Sequence, residues 1–264
     1  MTLEEHFGLT KSPFPRVAPD PALLRHQGLE EVLARLRFAL DRDTIAVLVA
    51  DSGCGKSTAL SLFARSLDAA SHQLVTISLT TLGPFGLLAS ISVAIGLRPR
   101  RFKGETAAAL LGHLRSIPKR TVLLIDEAHL LPDASLEDLR LLTADDFDRR
   151  SPFALILAGQ PLLRDRLAEP AHWALSQRVG VRIRLRPLTE AEVAAFIDRH
   201  LKSAGAKKPI FDPAAVAAVF QHSRGIPRLV QNIALASALA AMGAGAKTIE
   251  QATVQQAVVD LEDL

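Results

Sequence analysis

Thiols are almost missing from the 264-residue chain, which has one cysteine, Cys54. One thiol cannot build a disulfide framework or a cysteine-based metal site within the chain, so both classes are excluded. A strong charge of either sign is also lacking. Thirty-one lysines and arginines face 28 acidic residues, leaving a formal charge of +3, so a nucleic-acid surface would have to come from clustering and not from bulk charge. Aromatic residues make up only 5%, and the wealth of alanine and leucine favours helices over an all-β design. The amino terminus carries Glu4, Glu5 and His6 where a secretory leader needs an apolar run. Long uncharged stretches are few. Residues 83–97 are too short to span a bilayer comfortably, and residues 229–246 include Gln231 and Asn232 and read as an Ala-rich core helix. The expectation is a soluble, cytoplasmic protein with no membrane segment.

What is present is a core: 48% of the residues are hydrophobic, enough for a packed interior. Residues 1–28 are rich in proline (Pro13, Pro15, Pro19, Pro21) yet hold Phe7, Leu9, Phe14, Leu23 and Leu24, which predicts packing on the body. Leu29, Val32, Leu33 and Leu36 give residues 28–39 helical spacing. Apolar, strand-like runs at 44–50, 74–79, 121–126 and 153–158 then alternate with helical patterns at 56–67, 83–96, 105–117 and 136–142. Continuous apolar strands between helices predict an α/β fold with a parallel sheet covered on both faces. Residues 181–185 alternate apolar residues with Arg182 and Arg184, as in a half-exposed strand. After Pro187 everything reads as helix, beginning with Thr189 and Glu192 placed as a capping box. The expected domains are an N-terminal segment (1–28), an α/β domain (29–187) and a small helical domain (188–264).

Two motifs carry chemistry. The first strand runs into Ala50-Asp51-Ser52-Gly53-Cys54-Gly55-Lys56-Ser57-Thr58 and then a helix. A strand, a Gly-rich turn and a helix make an anion cradle, because the glycines let amides turn inward and the helix N-terminus adds its dipole. Ser52, Gly53, Cys54, Gly55, Lys56, Ser57 and Thr58 are therefore expected to hold ATP phosphates. Lys56 would reach the β- and γ-phosphates, and the Ser57 hydroxyl would lie on Mg²⁺. Ala50 stands where such loops usually begin with glycine, and alanine fits if that position needs no positive φ. Cys54 reads as a small filler or as a thiol whose pKa the amide-rich, Lys-flanked loop would lower. The second motif is Val122-Leu123-Leu124-Ile125-Asp126-Glu127-Ala128-His129. It places two carboxylates at the C-terminal end of a buried strand, the edge where parallel sheets bind ligands. Asp126 would serve the Mg²⁺ shell and Glu127 would orient the attacking water. His129 is open between a helix-start contact and a functional role.

With these motifs the chain resembles the AAA+ ATPases of the ExeA/TniB/TnsC group. The likeness runs through Phe7-Gly8-Leu9, Pro13-Phe14 and Pro19-Asp20-Pro21. It continues in Asp126-Glu127-Ala128-His129-Leu130-Leu131, Leu139-Arg140-Leu141-Leu142-Thr143 and Gly159-Gln160-Pro161-Leu162-Leu163, and ends with Gln177-Arg178 and Gly225-Ile226-Pro227-Arg228. The resemblance implies a helical lid domain and ATP hydrolysis. It makes Gln160 a polar sensor beside the γ-phosphate, and Arg178 an arginine finger acting on a neighbouring subunit, with Arg182 and Arg184 as rivals. Arg228 becomes a second sensor reaching the nucleotide from the helical domain, and the proline-rich segment a wall of the adenine pocket. Trp173 is expected to pack near the finger.

The group divides by task. One branch assists DNA transposition by oligomerising on duplex DNA with ATP and passing a target to a transposase. The other joins the ATPase to a membrane helix and a peptidoglycan-binding domain for secretion. With no membrane span and an end at Leu264, the expectation leans to a transposition regulator, a ring or filament of itself on duplex DNA, working with a transposase and a target-selection protein. A protein-remodelling or assembly ATPase is the alternative. Arg98, Arg100, Arg101 and Lys103 are the expected DNA contacts. Read as a basic loop without aromatics, they suit phosphates and not base edges.

Overall fold

A computed structural model describes residues 1–15, 20–144 and 151–262, the last without its side chain. Pro19 of the N-terminal motif lies outside the described residues. Helices α1 (Leu3–Phe7) and α2 (Gln27–Asp41) precede strand β1 (Ile45–Val49). Next come α3 (Lys56–Arg65), β2 (His72–Ile77), α4 (Pro84–Ala94), α5 (Lys103–Ser116) and β3 (Arg120–Ile125). They are followed by α6 (Asp133–Thr143), β4 (Ala154–Gly159), α7 (Pro161–Leu167), α8 (Trp173–Arg178) and β5 (Val179–Arg184). Helices α9 (Glu190–Ser203), α10 (Pro213–Ser223), α11 (Pro227–Gly243) and α12 (Gln251–Glu262) complete the chain.

The chain divides into two compact units, one of residues 28–185 and one of residues 1–27 with 186–264. The first is an α/β unit. Its five strands are all parallel, in the order β2-β3-β4-β1-β5. Strands β1 and β4 are buried at every residue, as a sheet covered on both faces requires. Edge strand β5 alternates buried Val179, Val181 and Ile183 with exposed Gly180, Arg182 and Arg184. Outward guanidiniums on an open edge discourage pairing with a foreign strand. Helix α4 starts with Pro84 in its first turn, and α5 and α6 cover positions that the sequence pattern also marks as helix. The short helices α7 and α8 were not expected from the pattern. Seven and six residues are too few to show a period.

The second unit is helical. A capping box closes each of two helix starts, Thr2 with Glu5 on α1 and Thr189 with Glu192 on α9. Its core gathers Val193, Ile197, Leu201, Val219, Val230 and Ile249, and Leu3, Leu9 and Phe14 of the N-terminal segment join them. Proline has no N–H to give, so this segment is strapped down through its carbonyls. His200 Nδ1 lies 3.1 Å from Pro13 O, Gln231 Nε2 donates to Pro15 O at 3.1 Å, and Arg199 Nε donates to Pro21 O at 2.9 Å. Phe14 stacks on the His200 ring at 5.6 Å. The described part of the segment thus packs within the helical unit.

Among the described residues no helix is long and apolar enough to cross a membrane.

Candidate nucleotide site

Three adjacent strands end side by side. In the order β3-β4-β1, β3 leads to Asp126 and Glu127, β4 to Gln160, and β1 to the Gly-rich loop. Gln160 is therefore placed between the carboxylates and the loop by topology alone.

The loop has the backbone that an anion cradle needs. Gly53 and Gly55 adopt φ of 82° and 95°, values that side chains rarely tolerate. A Cβ on Gly55 would meet nothing within 4 Å, so that side of the loop is open. Gly55 caps α3 without a side-chain hydrogen bond, which leaves the first amides of the helix for a ligand. Ser57 and Thr58 are exposed there. Ala50 is absent from the positive-φ residues and its N–H donates to Gly159 O at 3.1 Å. Alanine therefore sits in an extended ladder position and carries no backbone penalty. Of the two readings of Cys54, the structure favours the filler. Burial pushes its thiol up, and the Asp51 charge adds to this, so it is a buried filler and not an activated thiolate.

Lys56 is buried, and a buried ammonium needs partners. Its Nζ donates to Glu127 Oε1 at 2.7 Å and stands 3.6 Å from Asp126 Oδ1. Burial opposes the Glu127 carboxylate, but the Lys56 hydrogen bond and charge outweigh it and hold its pKa below the ordinary value. Glu127 has φ 51° and ψ 35°. A left-handed glutamate is strained and persists only when its surroundings hold it. The holders are visible. Asp126 Oδ1 accepts the Glu127 N–H at 2.9 Å, and Thr80 Oγ1 donates to Glu127 O at 3.1 Å. The Gln160 side chain hydrogen-bonds the carboxylate. Thr80 carries no motif that marks it in sequence, although its place just past β2 puts it on the same sheet edge.

His129 belongs to this group. It is buried, and its Nδ1 lies 3.4 Å from both Glu127 Oε2 and the Gln160 backbone nitrogen. Its carbonyl accepts from Arg166 Nη1 at 2.7 Å. Burial lowers its pKa, against the Glu127 charge, which raises it. Among the described residues no cluster of three or more His, Cys, Asp or Glu side chains could hold a metal. A cation at Ser57 and Asp126 would thus have to share phosphate oxygens, as Mg²⁺ on a nucleotide does. The loop, its lysine and the two carboxylates fit that group.

Comparison with known proteins agrees with the geometry. Residues 39–167 match the family model described as an AAA domain. The chain carries an AAA domain in the AAA+ fold. It is 32% identical over 98% of its length to general secretion pathway protein A of Aeromonas hydrophila, of which it covers 48%. It is 26% identical over 74% of its length to the ATP-dependent target DNA activator B of Escherichia phage Mu, of which it covers 60%. The chain thus spans about half to three fifths of these two curated relatives. Among solved structures, the Aeropyrum pernix Orc1 protein in complex with DNA aligns with a TM-score of 0.67 at 19% identity, covering 94% of this chain and 67% of that one. At that identity the likeness is one of fold.

The remaining expected residues lie elsewhere. Arg178 ends α8 at the N-terminal edge of the sheet, opposite the phosphate loop. Its rival Arg182 is engaged, with Nη2 donating to Ser176 O and Oγ at 2.9 Å; Arg184 is exposed. Arg228 is exposed in the first turn of α11, where the helix dipole disfavours a cation. Arg98, Arg100 and Arg101 are exposed, but Lys103 Nζ pairs with Asp138 Oδ1 at 2.7 Å. Phe102, 59% exposed with Arg101 over its ring at 5.5 Å, corrects the description of this loop as free of aromatics. Trp173 is also a correction. It is 64% exposed and does not pack in the core.

Proposed function

We propose that the chain binds Mg-ATP on Ser52–Thr58, hydrolyses it to ADP and phosphate, and uses the cycle to drive assembly or remodelling of a protein complex in secretion or envelope work. The hydrolytic half rests on the meeting of Lys56, Asp126, Glu127 and Gln160 on one sheet edge. Lys56 would bind phosphate, Ser57 and Asp126 would hold the cation, and Glu127 would orient a water. The bound cation would neutralise charge that develops on the phosphoryl oxygens. Arg178 would complete the site of a neighbouring copy, and Arg228 would sense the nucleotide from the helical unit. The task is carried by one observation, the 32% identity with general secretion pathway protein A over 98% of this chain.

A second reading is a regulator of transposition that works on duplex DNA with a transposase and a target-selection protein. The kinship with target DNA activator B favours it, as do exposed Arg98, Arg100 and Arg101. One experiment separates the two. ATPase rate and filter binding are measured with and without duplex DNA across a salt series. The assembly reading expects a DNA-independent rate and no ATP-dependent binding at low salt. DNA-stimulated turnover would move the assignment to transposition. The salt dependence should then have a log–log slope of about −0.9 per phosphate neutralised, and it should shrink when Arg98, Arg100 and Arg101 are replaced together.

A further inference from the structure

Helix α7 is only seven residues long, yet it holds His129 from both of its ends. At its N-cap the Gln160 N–H donates to His129 Nδ1 at 3.4 Å. In its last turn Arg166 Nη1 donates to His129 O at 2.7 Å. The ring and the carbonyl of one residue are therefore tied to opposite ends of one helix. The helix is itself anchored by buried Leu163 and Leu167, and a guanidinium in the last turn suits the negative end of the helix dipole. The held residue also lies close against the end of β4, where a Cβ on Gly159 would stand 3.2 Å from His129 N.

His129 is the middle residue of the 3₁₀ turn Ala128–Leu130, which follows directly on Glu127. A single 3₁₀ turn has poor hydrogen-bond geometry and little cohesion of its own. The Leu130 N–H reaches Glu127 O at 2.9 Å, and the Leu131 N–H reaches Ala128 O at 3.2 Å. Glu127 needs firmer support, because its left-handed backbone is strained. Asp126 and Thr80 hold Glu127 itself, and Arg166 holds the turn that comes after it. Arg166 is fixed in its turn. Its Nη2 pairs with Asp133 Oδ1 in the first turn of α6, and buried His172 brings Nε2 to 3.0 Å from the same oxygen. A planar guanidinium with both arms engaged is set in direction as well as in place.

We propose that Arg166 is a positioning residue for hydrolysis: by gripping the His129 carbonyl it fixes the turn after β3 and keeps the Glu127 carboxylate aimed at the water. The proposal rests on the reading of Glu127 as the water-orienting group, and it adds a side chain that lies past the Gly159–Leu163 motif. Arg166 acts through protein groups, so its loss should cost rate and not affinity. Small misplacements of a reacting group are enough to slow a reaction.

The test joins turnover to the order of the turn. Arg166→Met removes the donors and the charge but keeps a long side chain, and Arg166→Lys keeps the charge and one point of attachment. Both are made in the parent and in Glu127→Gln. Turnover of Mg-ATP and nucleotide affinity by equilibrium dialysis are measured separately. Amide hydrogen exchange over residues 127–131 is followed without nucleotide, and urea midpoints show that each variant is folded. Arg166→Met should lower kcat by about tenfold or more and bind nucleotide like the parent. It should also speed exchange over residues 127–131 by about tenfold, and Arg166→Lys should recover part of both losses. With the carboxylate already gone in Glu127→Gln, Arg166→Met should cost little further rate, because the two residues act as one unit. An equal loss in both backgrounds overturns the proposal, as does a loss confined to KM. Parental kcat or parental exchange in Arg166→Met overturns it too. If Arg166→Met does not fold, Arg166→Gln takes its place under the same criteria. A parent chain that binds ATP without hydrolysing it instead overturns the ATPase reading, and exchange over residues 127–131 still decides whether Arg166 holds the turn.

Discussion

Lys56 Nζ and Glu127 Oε1 are 2.7 Å apart, so the group suited to phosphate and the group suited to water hold each other. The pair is self-neutralising, and a phosphate bound by Lys56 would compete with Glu127 for its ammonium. Lys56→Ala should abolish nucleotide binding. Glu127→Gln should keep binding and lower turnover by about 10²–10⁴-fold. Nucleotide affinity and steady-state hydrolysis are measured separately, and a Glu127→Gln protein with parental turnover would remove Glu127 from the chemistry.

Once Lys56 is on phosphate, the Glu127 carboxylate keeps Gln160 and His129 as neighbours. His129→Ala should therefore lower kcat by about tenfold or more while nucleotide affinity changes little, since small misplacements of a reacting group are costly. His129→Asn, which restores a polar atom near the Nδ1 position, should recover part of the rate. Equal losses in kcat and in thermal stability for both variants would make His129 a packing residue.

Arg178→Ala should bind ATP and hydrolyse it poorly, by roughly 10³-fold. Mixed with Lys56→Ala subunits it should regain activity, because each then supplies what the other lacks. Steady-state assays over the mixing ratio read this directly. If Arg178→Ala alone turns over like the parent, the trans role passes to Arg184, since the rival Arg182 is held by hydrogen bonds to Ser176.

Gly225 of the helical unit has no room for a side chain. Its φ is 73°, its carbonyl accepts the Leu188 N–H at 2.8 Å, and a Cβ would stand 2.0 Å from Leu188 O. Backbone cannot yield as a side-chain tip can, so Gly225→Ala should cost about 2–4 kcal/mol or prevent folding. Urea unfolding followed by circular dichroism tests this, and a midpoint equal to the parent's contradicts it.

Arg186 grips Glu192 through two hydrogen bonds, at 2.6 and 2.9 Å, and this pulls the Glu192 pKa down from 4.5 to about 2. A carboxylate depressed in the folded state stabilises above its unfolded pKa, and the gain is lost as pH falls through the folded value. Arg186→Ala should therefore be less stable than the parent above about pH 5. The gap should narrow as pH falls from 4.5 towards 2. Denaturation midpoints across that range check the sign. A gap that widens on acidification would mean that Glu192 is not the responsible group.

The sheet and the glycine turn at the candidate phosphate site were legible because their signals are local. Residues 121–126 are apolar enough to be a buried strand in any context, and the glycines of the loop name their own conformations. Thr80, His129 and Trp173 were not legible in the same way. Thr80 and His129 acquire their roles from residues 47 and 31 positions away. Trp173 looks like core until its accessibility is known. Proline carbonyls that accept from His200, Gln231 and Arg199 are also invisible in sequence, since nothing local says that a proline-rich stretch will be tied to helices nearly 180 or more residues later.

Strand β1 links two candidate sites end to end. Its C-terminal end leads into the Gly-rich loop proposed for phosphate, and at its N-terminal end Thr44 Oγ1 reaches the carbonyl of Arg178 at 3.5 Å, with Ile45 in register with Val179. Five strand residues, roughly 17 Å of extended chain, separate a copy's own ligand loop from the group it would offer to its neighbour.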